Sequence, residues 1–291
     1  MARSALCVGI NEFKNLPMSS WLSGCVNDAH DISAALRKYG FTSRNTAVLT
    51  DADATKPAVM AALEKMVGKA RAGDHLLFSF SSHGTQVPNH RDDDAEPDGL
   101  DEAFACYEIR SAGDRWDTDT VILDDELRDL FARVPAGVLV EVLLDTCHSG
   151  TGLKRLEDLQ LDLMRGRRPR FLPPPTPQGL RQARSIRELS APRTVDRKPL
   201  VDLISSRRTA AKPVLFAACK AGQTAADATF DSRSNGAFTY LLLKALKAAP
   251  TSSRADLLKA VTAGLKADDF DQRSTLEAPT KAKRVAFGES W

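Results

Sequence analysis

Cysteine is scarce in this sequence and badly spaced for structural use. The five present, Cys7, Cys25, Cys106, Cys147 and Cys219, form an odd, scattered set with no Cys-x-x-Cys pair. That pattern excludes a disulfide framework and a zinc ligand set, fits a reducing cytoplasm, and leaves room for one reactive thiol. No apolar run approaches the roughly eighteen residues of a transmembrane helix. The amino-terminal stretch MARSALCVGI lacks both a signal-length apolar region and a small-residue cleavage site after it. Neither a Walker A loop nor a dinucleotide fingerprint occurs, so no nucleotide or electron-transfer cofactor is implied, and no internal repeat stands at a solenoid period. The expectation is a soluble cytoplasmic protein with no membrane partner.

What is present is a core. With 291 residues, 43% of them hydrophobic, the chain can bury one substantial domain. Ala5 to Ile10 reads as a buried strand, Val26 to Tyr39 as a helix ended by Gly40, and Thr46 to Leu49 as a strand. Lys56 to Arg71 reads as a helix closed by Gly73, His75 to Ser81 as a strand, residues 124 to 133 as a helix, and Val138 to Leu144 as an unbroken apolar strand. Strands without alternation, separated by helices, predict a parallel sheet covered on both faces. From Thr151 to about Lys212 the periodicity fades, and Pro173, Pro174, Pro175 and Pro177 with the arginine clusters predict a mobile or only partly ordered connection. The pattern resumes with Pro213 to Ala218 as a strand, Gly236 to Ala248 and Ser253 to Lys266 as helices, and Arg284 to Phe287 as a last strand. The organisation expected is a larger portion over 1–150, a basic linker over 151–212 and a smaller portion of the same domain over 213–291.

The formal net charge of +2 is unevenly spread: residues 151–212 hold 15 Lys and Arg against 6 Asp and Glu, leaving the linker at +9 and the remainder at −7. An acidic body with a basic insert points to basic substrates or to an insert that lies back on the body; the alternative is a solvated linker. A specific nucleic-acid partner is not expected, because the insert has almost no aromatic interleaving, Phe171 alone, and no recognisable binding fold.

In open α/β sheets reactive groups collect at the carboxyl ends of strands. Two strands here end in Ser81-Ser82-His83-Gly84 and Asp145-Thr146-Cys147-His148-Ser149-Gly150. A thiol needs a base within hydrogen-bond reach to become a nucleophile at neutral pH. His83 and Cys147 are the candidate pair; His148 competes as base, but a neighbour on a tight turn seldom places its ring on the adjacent sulfur. Gly84 leaves its N–H free to approach a substrate carbonyl, with the Cys147 N–H as its partner in an oxyanion hole.

Those two strand ends resemble the metacaspases, within the caspase-like cysteine peptidases. The resemblance extends to Gly24-Cys25-Val26-Asn27-Asp28-Ala29, to Ile122-Leu123-Asp124-Asp125-Glu126-Leu127, to the stretch Ala218-Cys219-Lys220-Ala221-Gly222-Gln223-Thr224-Ala225-Ala226-Asp227, and to Asn235-Gly236-Ala237-Phe238-Thr239, in the family's order and over nearly the whole chain except the linker. It implies a caspase-like α/β fold with a mostly parallel six-stranded sheet flanked by helices on both faces. It also implies a cysteine endopeptidase acting through a Cys-His dyad on protein or peptide substrates, with self-cleavage in the linker and a monomeric state. Asp145 stands where caspases carry Gln, and a carboxylate there suits an Arg or Lys at P1, the substrate residue before the cut bond. The resemblance adds Asp28 as a second pocket carboxylate, with Cys25 and Ser81 nearby. Arg165, Arg167, Arg168, Arg170, Arg184 and Arg187 are then candidate self-cleavage sites. An EF-hand over Asp94-x-Glu96-x-Asp98 is excluded by Pro97 and by Ala105 at its closing position. The resemblance offers instead an activating calcium at Asp101, Asp124 and Asp125, although Thr151-Gly152-Leu153-Lys154 departs from the acidic residue the family uses after the nucleophile. The rival reading is a catalytically weak caspase-like module for interaction and assembly.

Overall fold

The computed structural model describes residues 1–89, 99–147, 162–190, 213–220 and 223–291, with side chains of 187–190 excepted. Its strands are β1 (Arg3–Gly9), β2 (Thr46–Thr50), β3 (His75–Ser81), β4 (Gly84–Pro88), β5 (Leu100–Ala105), β6 (Ser111–Ala112), β7 (Arg115–Trp116), β8 (Val121–Leu123), β9 (Leu139–Asp145), β10 (Arg168–Pro169), β11 (Val214–Ala217), β12 (Ala226–Phe230), β13 (Arg233–Gly236) and β14 (Thr275–Glu277). The helices are α1 (Cys25–Leu36), α2 (Lys56–Lys69), α3 (Asp124–Phe131), α4 (Pro177–Ser190), α5 (Ala237–Ala248), α6 (Arg254–Ala267) and α7 (Thr280–Lys283). None is long and apolar enough to cross a membrane.

A six-stranded sheet in the order β14-β11-β9-β3-β1-β2 forms the centre. All its pairings are parallel except the edge strand β14, which runs antiparallel to β11. Every residue of β3 and β9 is buried, which is why these strands read as continuous apolar runs rather than alternating ones. Alternation splits β1 between two cores: Leu6 and Val8 pack with Val59 and Leu63 of α2 and Leu127 of α3 on one face, while Ala5 and Cys7 pack with Ile32 of α1, Phe238 of α5 and Val261 of α6 on the other. Local chemistry sets the helix starts. Thr55 caps α2 by accepting from Ala58 N, and Ser253 caps α6 by accepting from Asp256 N. Gly40, at φ 79°, closes the 3-10 turn after α1 in the left-handed conformation that glycine adopts without strain.

Two smaller three-stranded sheets, β4-β5-β8 and β10-β12-β13, stand at the carboxyl edge of the large sheet. The sequence pattern did not predict them, since their strands are short and their pairing depends on packing context. The expected last strand over Arg284 to Phe287 is corrected. The edge strand is Thr275–Glu277, whereas α7 occupies Thr280–Lys283 and only an isolated bridge joins Ala286 to Ser253. Gly288, at φ 77°, then turns the chain, and Phe287 is buried against the rings of Tyr39 and Phe216 rather than in a ladder. The linker is also more ordered than its composition implied: α4 and β10 both lie within it.

Beneath the sheet a buried ion cluster ties the carboxyl-terminal segment to β9. Arg254 Nε donates to Glu141 Oε1 at 2.7 Å, and His75 Nε2 lies 2.8 Å from Glu141 Oε2. Arg254 also donates to the carbonyls of Ala282 and Glu289, at 3.0 and 2.8 Å. Burial alone would push the Glu141 carboxyl up, but His75 and Arg254 together hold it below its ordinary range. Removing one partner of such a buried pair strands the other charge, so Arg254→Leu is expected to lower the unfolding free energy by about 3–5 kcal/mol in urea denaturation. An unchanged midpoint would show that Glu141 finds another partner.

Candidate functional site

The register of the central sheet builds the site. Ser81 at the end of β3 pairs with Asp145 at the end of β9, so two equal steps beyond that pair bring His83 and Cys147 out along the same edge. His83 Nε2 lies 2.7 Å from the Ser20 carbonyl oxygen. A carbonyl only accepts, so Nε2 carries the hydrogen and Nδ1 presents a lone pair; Nδ1 is buried with no hydrogen-bond partner among the described residues. Burial pushes the imidazole down to about 4, against the pull of the Ser20 bond. Cys147 is fully buried, and its thiol donates to the Gln223 carbonyl at 2.8 Å. The Cys219 thiol is held well above the usual range, first by its hydrogen bond with Cys147 and then by burial. His148 lies outside the described residues.

Across this edge runs a segment of the linker. Arg168 and Pro169 pair antiparallel with Asp227 and Ala226 of β12, and Arg170 N donates to the Ala225 carbonyl at 2.9 Å. The Arg170 carbonyl oxygen then accepts from both Gly84 N, at 3.0 Å, and Cys147 N, at 3.2 Å. On its far side Leu172 N donates to the Gly84 carbonyl at 2.9 Å, and Thr85 Oγ1 donates to the Leu172 carbonyl at 2.7 Å. The two amides that the sequence suggested for an oxyanion thus converge on one carbonyl, and that carbonyl belongs to Arg170.

The Arg170 side chain is fully buried among three carboxylates. Its Nη2 donates to Asp28 Oδ2 at 2.7 Å and to Asp227 Oδ1 at 2.9 Å, and its Nη1 lies 3.2 Å from Asp145 Oδ1. Each carboxylate is itself held. Asn235 Nδ2 and Gly236 N donate to Asp28 at 2.9 and 3.0 Å, Thr239 N and Oγ1 donate to Asp145 at 3.0 and 2.7 Å, and Ser23 N and Gly24 N donate to Asp227 at 2.8 and 3.0 Å. A Cβ at Gly236 would run into the Asp145 carboxylate and the guanidinium, so the close approach requires glycine. Burial pushes the Asp28 carboxyl up to about 7; Arg170 opposes that shift and Asp145 adds to it. Three acids surround one cation in a low-dielectric pocket that the Arg170 guanidinium fills.

Of the pocket residues expected from sequence, Asp28 and Asp145 touch the guanidinium. Cys25 lies close enough to feel its charge, although burial dominates and raises that thiol well above its ordinary value. Ser81 is buried, its Oγ without a hydrogen-bond partner among the described residues. Asp227 and Thr239 were inside recognised stretches but carried no assigned role, and the Ser20 carbonyl, a backbone group, leaves no side-chain signal.

The acids suggested for calcium stand elsewhere, where β5 meets the start of α3. Asp101, Asp124 and Asp125 are all buried. Burial, then Asp125, then Asp101 push the Asp124 carboxyl up to about 8, while Arg128 pairs with Asp125 at 2.6 Å. Among the described residues no three His, Cys, Asp or Glu stand close enough to share an ion, so these residues do not by themselves make a calcium cage. The acidic stretch from Asp92 to Asp98 and the segment Thr151 to Lys154 lie outside the described residues.

Known proteins resemble this chain in sequence and in fold. A family model described as the caspase domain matches residues 2–286. Metacaspase-1 of Cryptococcus neoformans var. neoformans serotype D is 31% identical over 95% of this chain and 62% of its own length. Metacaspase-8 of Arabidopsis thaliana is 29% identical over 54% of this chain and 40% of its own. The chain therefore spans about six-tenths of the length of the first of these relatives. Among solved structures, a Geobacter sulfurreducens protein superimposes with a TM-score of 0.67 at 24% identity, covering 99% of this chain and 98% of that one. Caspase-1 from Spodoptera frugiperda superimposes with a TM-score of 0.55 at 13% identity, covering 95% and 88%.

The buried imidazole gives a direct test. In the Cys147→Ala chain, NMR titration of His83 is expected to show a midpoint near 4 rather than the ordinary ~6.5. Because the folded ring refuses a proton that the unfolded chain accepts, its contribution to stability is fully present above ~6.5 and is lost as pH falls towards the folded midpoint. A midpoint at the ordinary value would mean the ring is solvated.

Proposed function

As this chain belongs to the caspase-domain family, as a metacaspase-like member of it, we propose that it is a cysteine endopeptidase that cuts after Arg or Lys, with Cys147 as nucleophile and His83 as its base. The observation that carries this reading is the seat of Arg170, whose guanidinium meets Asp28, Asp145 and Asp227 while its carbonyl oxygen accepts from Gly84 N and Cys147 N. A P1 residue must satisfy both demands at once, charge at the side chain and hydrogen bonds at the carbonyl.

In the proposed reaction His83 Nδ1 takes the thiol proton, and the Cys147 sulfur attacks the carbonyl carbon of the P1 residue. The developing oxyanion is held by the Gly84 and Cys147 amides, and the Ser20 carbonyl keeps the proton on Nε2 so that the imidazole stays correctly oriented. Collapse breaks the C–N bond, His83 protonates the departing amine, and water, deprotonated by His83, then hydrolyses the thioester to a carboxylic acid and regenerates the thiol. The partners are proteins or peptides with a basic P1 residue. Among the described linker arginines the bond after Arg170 is the candidate for self-cleavage; Arg165, Arg167, Arg168 and Arg184 do not occupy the pocket, and the Arg187 side chain lies outside the described residues. Calcium as activator would need ligands beyond Asp101, Asp124 and Asp125, which do not form an ion site among the described residues.

The test is hydrolysis of fluorogenic peptides with P1 Arg, Lys or Asp, with millimolar calcium or with chelator, alongside mass spectrometry of the purified chain. Cleavage after Arg and Lys only, a new terminus at Phe171, and abolition of both by Cys147→Ala are expected. His83→Ala should lower kcat by roughly 10²–10⁴. Asp227→Asn should lower kcat/KM for P1 Arg by about tenfold to a hundredfold, the worth of a hydrogen bond to a charged group. Cleavage after Asp would overturn the pocket assignment, and no cleavage under any condition would favour the assembly module.

A further inference from the structure

Arg170 is not the only arginine of the linker held by the body. Three residues earlier, the Arg167 guanidinium stacks on the Phe270 ring, 4.0 Å from its centroid. It also donates to the carbonyl oxygens of Asp269, at 2.6 Å, and Asp268, at 2.7 Å. Asp268 is the C-cap of α6, so these carbonyls lie at the negative end of a 14-residue helix. Phe270 is braced in turn by Phe230, whose ring lies 6.0 Å away and stacks on Tyr240 at 4.0 Å. A rigid aromatic face and outward-facing carbonyls satisfy a planar cation on its face and along its edge.

The neighbouring arginines sit in no comparable cradle among the described residues. Arg165 reaches only the Asp269 carboxylate, and that pair is largely exposed, 42% and 76%, where such bridges contribute little. Arg168 is exposed and makes a single bond to the Trp21 carbonyl at 2.7 Å. Between Arg167 and Arg170 the chain is extended and paired with β12, so the spacing of the two held arginines is the spacing of P4 and P1 on a peptide added as a strand.

Resting on the reading of Arg170 as a P1 mimic, we propose that Phe270 and the Asp268 and Asp269 carbonyls form a second cation-recognising subsite, selecting substrates with Arg at P4 as well as a basic residue at P1. The segment Arg167-Arg168-Pro169-Arg170 is then the built-in example of the preferred substrate class, a peptide with two arginines three positions apart. Lys at P4 is accepted less well, because it offers one point charge to a site shaped for a flat fork.

The experiment compares kcat/KM on peptides of the form Xaa-Arg-Pro-Arg-coumarin, with Xaa Arg, Lys, Gln or Ala, for the full chain and for Phe270→Leu, which keeps apolar packing and removes the ring. Arg at P4 is expected to exceed Ala and Gln by about tenfold, and Phe270→Leu to reduce that preference to about twofold while Arg over Asp at P1 is kept. Equal rates for all four peptides would overturn the subsite and leave the P1 reading intact. If no peptide is cut at all, the P1 reading fails, and the subsite is decided by trypsin cleavage of the Arg170–Phe171 bond in the Cys147→Ala chain, followed by mass spectrometry. Arg167→Gln is expected to speed that cleavage at least fivefold and Arg167→Lys less. An unchanged rate in Arg167→Gln would overturn the subsite.

Discussion

One guanidinium among three carboxylates, all removed from water, is the interaction on which the arrangement of the site depends. Arg170, Asp28, Asp145 and Asp227 come from the linker, α1, β9 and β12, so the cluster pins four distant parts of the chain to one point. Such a cluster contributes little net stability, because desolvation offsets most of the Coulomb attraction. What it does is specify. Each carboxylate is fixed by amide or hydroxyl donors that remain in place whatever fills the centre, and burial already pushes Asp28 up to about 7 with the cation present. Taking the cation away leaves three buried acids to share protons or water, a state that another basic side chain relieves.

The central sheet sets the distance over which this works. Because Ser81 and Asp145 are level in the ladder, the last carboxylate of β9 points under the site while the next two residues of each chain carry Cys147 and His83 over it. One residue of register slip would flip Asp145 to the other face of the sheet. The close approach at Gly236 and the bonds from Thr239 to Asp145 then fix the floor of the pocket from the side of α5.

Much of this was legible in the residues, and what was not has physical causes. Parallel strands declared themselves as unbroken apolar runs, and the two reactive strand ends carried their chemistry in adjacent letters. Asp28 and Asp145 were readable because each sits in a distinctive local string. Asp227 was harder: its place comes from a hairpin, β12–β13, whose strands are short and pack beside α1 and β10. The short sheet β4-β5-β8 was missed for the same reason. In the linker, prolines and arginines argued for a mobile or only partly ordered connection, yet Leu172 packs into the core and Arg168 to Arg170 are ordered by strand addition and ion pairs. The charge asymmetry held that information, since a +9 insert on a −7 body has an electrostatic reason to fold back. It could not say which arginine lands in the pocket, because that depends on a two-residue register against β12.

The same register bears on how an intramolecular occupant competes with anything else. A tethered segment meets the pocket at an effective concentration of order millimolar for a short flexible link, so a free peptide must exceed it or wait until the link is cut. Cutting after Arg170 would leave Arg170 as a carboxyl terminus still held by β10 pairing and by the three acids, while the chain beginning at Phe171 would keep Leu172 in the core and the bonds of Gly84, Thr85, Trp116 and Asp114 to Leu172, Pro173 and Thr176. Both sides of the cut bond are gripped, so cutting alone would not open the cleft to other substrates. The features that make this segment a good model of a substrate also make it a slow product to release.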